Sequence, residues 1–98
     1  MANDFQISPS TLRAQAGTAQ HAGYTQLAEN LRRAAELTAV PNDELLRMYE
    51  LLRPGRSTHA ELSAMADTLE RDYNATQTAA FVREAVVVYL QRGLFRRE

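Results

Sequence analysis

A chain of 98 residues with 45% hydrophobic and 23% charged residues is sized for one folded domain around a single core, and is too apolar for a disordered segment. It has no cysteine, which excludes disulfides, thiolate catalysis and cysteine-bound zinc; its net charge of −1, with interleaved signs, offers no basic face to nucleic acid or to an anionic membrane. No apolar run approaches the roughly 20 residues that span a bilayer, and MANDFQISPS has neither the basic start nor the apolar stretch of a signal peptide.

Residues 1–7 read as an extended lead-in whose Phe5 and Ile7 can tuck against the body. Ser8-Pro9 is a helix start, a capping hydroxyl followed by proline at the first helical position. The helix it opens runs to about Ala22, is rich in alanine, and carries Leu12, Ala16 and Ala19 on one side. Gly17 inside it costs about 1 kcal/mol relative to alanine unless another backbone packs closely there. Gly23 is its natural stop.

The stretch Leu27 to Arg56 holds two amphipathic patterns joined at Val40-Pro41-Asn42. In the first, Leu27, Leu31, Ala34, Ala35 and Thr38 recur at helical spacing, opposite Glu29, Arg32, Arg33 and Glu36. Glu29 and Arg33 form an i,i+4 pair in the favourable orientation. Pro41 lacks an N–H and disfavours helix at Val40, so the first pattern ends there. Asn42 is the expected N-cap of the next helix, with Asp43 and Glu44 on its positive end. Leu45, Met48, Tyr49 and Leu52 give that helix its apolar face before it stops at Arg53-Pro54-Gly55.

Thr58 and Glu61 have capping-box spacing and open a fourth helix, striped by Leu62, Met65, Ala66, Leu69 and Tyr73, with Asp67 and Arg71 paired outside. Asn74 can take the left-handed conformation that ends it. A fifth helix spans about Thr76 to Arg92 and stops at Gly93, leaving residues 93–98 as a short tail. The whole reads as all-α, a compact bundle of about five short helices in one domain over 1–98.

The fifth helix is apolar almost all round. Its bundle face is expected to carry Phe81, Ala85, Val88 and Tyr89, leaving an outward flank of Val86 and Leu90, with Val87 further round beside Gln91. Such a flank in water forfeits about 1.5–3 kcal/mol of burial per large side chain, so a partner is expected to cover it.

Candidate chemistry is sparse. His21 and His59 fall near helix ends without further ligands at metal spacing, and Asp43, Glu44, Glu70 and Asp72 sit where helix ends and solvated faces expect charge. No glycine-rich loop follows a strand, and Ser57, Thr58 and Ser63 have no histidine placed as a base. The four tyrosines, 24, 49, 73 and 89, read as core residues with polar tips. Every basic residue is arginine, through compositional bias or a preference for bidentate cations. Arg53 and Arg56 on their stiff turn suit docking to carboxylates or carbonyls of a partner, or else simply solvate the turn. These features describe an interaction module rather than an enzyme with its own active site.

Ile7-Ser8-Pro9-Ser10-Thr11-Leu12 and the run Leu27 to Pro41 closely resemble the small (gamma) subunit of adenosylcobalamin-dependent diol and glycerol dehydratases. The likeness continues through Tyr49, Leu52 to Ser57, Glu61-Leu62, Ala66-Asp67, Ala80 to Ala85, Tyr89 and Arg92. The resemblance implies a lyase of two copies each of large, medium and small chains. Substrate and cation would sit in the large subunit, and adenosylcobalamin between large and medium. The small chain would pack on the large one without catalytic, cofactor-binding or metal-binding residues of its own. The partner-facing residues would be Arg53, Arg56, Val86, Val87 and Leu90. A free-standing helical adaptor of the same fold is the alternative. Family members usually begin with a further extension linked to packaging in bacterial microcompartments. This chain starts almost directly at the folded part, which argues for the cytoplasm and against encapsulation.

Overall fold

Two of the five helices, the first and the fourth, start on a side-chain cap supplied by their own N-cap residue. In a computed structural model that describes residues 8–97, Ser8 Oγ accepts from Thr11 N at 3.2 Å and opens α1 (Pro9–His21). Thr58 Oγ1 accepts from Glu61 N at 3.1 Å while Glu61 Oε1 accepts from Thr58 N at 2.9 Å, the reciprocal capping box expected for α4 (His59–Tyr73). The Thr58 N–H, with Arg96 beyond it, holds the Glu61 carboxyl below the usual glutamate range. Between these lie α2 (Thr25–Leu37) and α3 (Asn42–Leu51). The expected cap at Asn42 is not formed: Pro41 holds the N-cap position, Asn42 is the first helical residue, and Asp43 Oδ1 accepts from Glu44 N instead.

The last helix is α5 (Thr76–Arg92), whose N-cap residue is Ala75. Ala75 is buried in the core, where a polar capping side chain would not be solvated. The acceptor comes from another helix. Glu36 of α2 takes Gln77 N at 2.9 Å and both Thr78 N and Thr78 Oγ1 at 2.7 Å. A residue expected on the outer face of α2 therefore turns inward and fastens α2 to the start of α5.

At their C-termini α4 and α5 end as the sequence requires, with Asn74 at φ 53° and Gly93 at φ 66° in the left-handed region. Residues 1–7, with the expected packing of Phe5 and Ile7, and Glu98 lie outside the described residues.

The helices pair as two hairpins, α1 with α2 and α4 with α5, joined where α2 meets α5; α3 leans on α4. The main core gathers Met48 and Leu51 of α3, Leu62, Met65 and Leu69 of α4, and Val82 and Val86 of α5. A second, smaller cluster of Ala16, Ala19 and Ala28 zips α1 to α2 with Leu31 at its edge. All-α architecture is thus borne out, with no strand among the described residues. The body measures 43 × 37 × 21 Å, and its thin dimension is only about two helix diameters. In so thin a slab no helix is surrounded on all sides.

Side-chain faces follow from that shape. Leu51 is buried where Tyr49 was expected, and Tyr24, Leu27 and Tyr49 stand exposed, so only Tyr73 and Tyr89 behave as half-buried tyrosines. Gly17 meets no close backbone: a Cβ placed there touches nothing within 4 Å. Gly17→Ala is therefore expected to raise stability by about 0.5–1 kcal/mol, through helix propensity and a less free unfolded chain. Thermal unfolding followed by circular dichroism checks it, and a lower melting point would show an unseen steric conflict.

Candidate functional site

The turn after α3 is built from small and stiff residues and is bolted to the end of the chain. Ser57 is buried and donates from Oγ to Leu51 O at 2.8 Å, closing the helix end. Gly55, at φ 79°, donates its N–H to Leu94 O at 2.8 Å, and Arg96 N donates to Ser57 O at 2.7 Å. Phe95 then sets its ring edge-on against Tyr89 and His59, at centroid distances of 5.6 and 5.7 Å. Tyr89 OH donates to Leu52 O, and Arg96 reaches Glu61 at 3.0 Å. The segment read as a short tail is therefore a clasp over the α3–α4 turn, and His59 is a packing residue of that clasp. The sequence signal for it was Leu94-Phe95, two apolar residues after a helix stop.

Arg53 and Arg56 stand exposed on this clasped turn. Both reach the same carboxylate, Glu50, at 3.2 and 3.7 Å. An exposed pair of this kind adds about 0–1 kcal/mol, so neither arginine is committed to stability. Both remain available to a partner's carboxylate or carbonyl.

The fifth helix is rotated from the expected arrangement. Val86 is only 7% exposed and belongs to the core with Val82, Thr78 and Ala79, whereas Phe81 is 44% exposed and Val88 is also on the surface. Val86 therefore does not lie on the outward flank, and Phe81 and Val88 do not form the bundle face. Two contacts flank the buried face. Arg83 pairs with Glu70 at 2.6 Å and Asp67 at 2.9 Å on α4, and Glu36 holds Thr78 from α2. With both fixed, the face between them meets Leu62, Met65 and Leu69. Val87 and Leu90 lie outside as expected, at 55% and 58% exposure.

The carboxylates considered for chemistry sit in structural positions. Asp43 and Glu44 occupy the first turn of α3, and Glu70 serves Arg83. Asp72 pairs with Arg71 at 2.9 Å, and that hydrogen bond lowers the Asp72 carboxyl below its usual range. The expected Asp67–Arg71 pair is replaced by these two. Arg33 likewise leaves Glu29: it donates to Asn30 Oδ1 and lies 4.5 Å over the Phe81 ring.

Two open grooves run along the exposed side of α5. One, of about 470 Å³, is lined by Leu52, Phe81, Glu84, Ala85, Val88 and Tyr89. The other, of about 340 Å³, lies between α2 and α5 and shares Phe81 and Glu84 with it. Among the described residues, no group of three or more His, Cys, Asp or Glu side chains is placed to hold a metal ion. His21 and His59 are exposed at helix ends, and His59 is engaged by Phe95. No helix among the described residues is long and apolar enough to cross a membrane.

What this geometry offers is an exposed, grooved surface along α5. The family model described as "Dehydratase small subunit" matches residues 1–96. Proteins named propanediol dehydratase small subunit from Citrobacter freundii and from Salmonella typhimurium are each 56% identical over 91 residues. Those alignments cover 93% of this chain and 53% of each relative, so the chain spans about half the length of the curated relatives it matches. An identity of 56% across nearly the whole five-helix body, together with the family match, decides the matter: the chain belongs to the dehydratase small-subunit family.

Proposed function

We propose that this chain is the non-catalytic small subunit of a cytoplasmic, adenosylcobalamin-dependent diol dehydratase, and that it packs on and stabilises the large catalytic subunit. The observation that carries the reading is the 56% identity, over 93% of the chain, to proteins named propanediol dehydratase small subunit. Those names favour propanediol over glycerol as the substrate of the assembly. Cobalamin supplies the radical chemistry when bound, between the large and medium subunits. This chain's own residues contribute contact: Arg53 and Arg56 on the clasped turn, and Val87 and Leu90 on α5. The assembly holds two copies of each of the three chains.

Co-expression with the large and medium subunits tests the proposal. The chain is expected to co-elute with both on gel filtration, and its omission is expected to lower the yield of soluble, active complex. In parallel, the isolated chain is expected to leave the visible spectrum of adenosylcobalamin unchanged. Saturable binding at micromolar concentration, or failure to co-elute, would overturn the reading.

A further inference from the structure

Nearly every acidic side chain among the described residues has a partner. Glu50, Glu61, Asp67, Glu70 and Asp72 pair with arginines, Glu36 caps α5, and Asp43 and Glu44 sit at the start of α3. The two that neither pair with an arginine, accept a hydrogen bond nor lie in the first turn of a helix are Glu29 and Glu84. Both line the groove between α2 and α5, one from each helix, with Phe81 between them. Arg33, the cation in that groove, is already turned onto Asn30 and the Phe81 ring. On its own helix Glu84 has Ala80, Phe81, Val87 and Val88 at the three- and four-residue spacings, and no cation.

Through Phe81 and Glu84 this acidic end runs directly into the apolar groove floored by Leu52, Ala85, Val88 and Tyr89. The combined trough follows the axis of α5, with an apolar floor at one end and, at the other, two carboxylates outside any ion pair that outnumber the single cation Arg33. Its complement is an amphipathic helix with an apolar ridge and a cation one or two turns along it. Taking about 100° per residue, Leu90, Val87, Glu84, Val88 and Phe81 follow one another around the outer half of α5. One partner can therefore cover the trough and the outward flank together.

We propose that the trough between α2 and α5 seats an amphipathic helix of the large subunit, with an arginine or lysine of that helix held between Glu29 and Glu84. The proposal rests on the reading of the chain as a dehydratase small subunit. It names where the large subunit docks and by what chemistry.

The test uses the co-expressed three-subunit complex with Val88 replaced by the photo-crosslinking residue p-benzoylphenylalanine, alongside Glu84→Arg and Glu84→Gln. Position 88 is on the surface, so the fold is undisturbed. Irradiation is expected to join this chain to a large-subunit peptide of helical pattern that contains a basic residue. Glu84→Arg is expected to weaken association by about tenfold or more at low salt, through like-charge juxtaposition. Glu84→Gln is expected to flatten the salt dependence of the wild-type affinity. An adduct with the medium subunit or with a second copy of this chain would overturn the proposal. Co-elution without any adduct, or with both Glu84 variants binding as wild type, would overturn the trough alone and leave the small-subunit reading standing. Failure of the unaltered chain to co-elute would overturn both.

Discussion

Leu90→Asp is expected to abolish co-elution with the large subunit while the free chain keeps its helical circular dichroism. In the free chain Leu90 is 58% exposed, so a carboxylate there remains in water and no core contact is lost. In a complex the same carboxylate would be desolvated against an apolar surface without a partner, which is among the costliest changes an interface can suffer. Central interface residues typically carry about 2–4 kcal/mol, so affinity should fall roughly 30- to 700-fold. Val87→Asp, one turn back at 55% exposure, should behave alike. Val86→Asp should not: that side chain is in the core, and its replacement is expected to unfold the chain rather than uncouple it. Normal assembly by Leu90→Asp would show that the outer half of α5 stays in solvent, and the proposed docking face would be wrong.

Glu36→Ala is expected to destabilise the free chain by about 1–3 kcal/mol, the range for loss of a helix cap and of hydrogen bonds to a charged group. Three donors lose their acceptor at once: Gln77 N, Thr78 N and the Thr78 hydroxyl, whose side chain is buried. For a chain of this size each kcal/mol corresponds to about 4–8 °C of melting temperature. Hydrogen exchange should localise the change, with the amides of residues 77 and 78 losing protection first. Glu29→Ala, on the same helix but without a partner, should stay within about 0.5 kcal/mol of wild type. Equal melting of the two variants would mean that water caps α5 as well as Glu36 does.

The elements themselves were legible in the sequence because their signals are local. Ser8-Pro9, the Thr58–Glu61 box, Asn74 and Gly93 each act within one turn of their own position, and each does in the structure what its chemistry dictates. The stripe of α4 was equally readable, since Leu62, Met65, Ala66 and Leu69 are its only contiguous apolar face and all four are buried. The motifs of the dehydratase small subunit were carried by these same stretches, and the family match confirms them.

What the sequence could not decide was rotation and reach. A helix as apolar as α5 offers several faces of similar hydrophobicity, and periodicity cannot choose among them. Tertiary packing chose: Val82 and Val86 lie inward with Leu62, Met65 and Leu69, flanked by the contacts of Arg83 and Glu36, and Phe81 and Val88 are left outside. Long side chains likewise passed over their nearest helical partners. Arg33 left Glu29 for the Phe81 ring, and Arg96 crossed to Glu61, because contacts between helices become available only once the helices are in place. Caps, breakers and stripes are thus fixed by neighbours within a turn or two of the chain. Which face of α5 is left outside is fixed by contacts across the fold, and only the folded chain determines that.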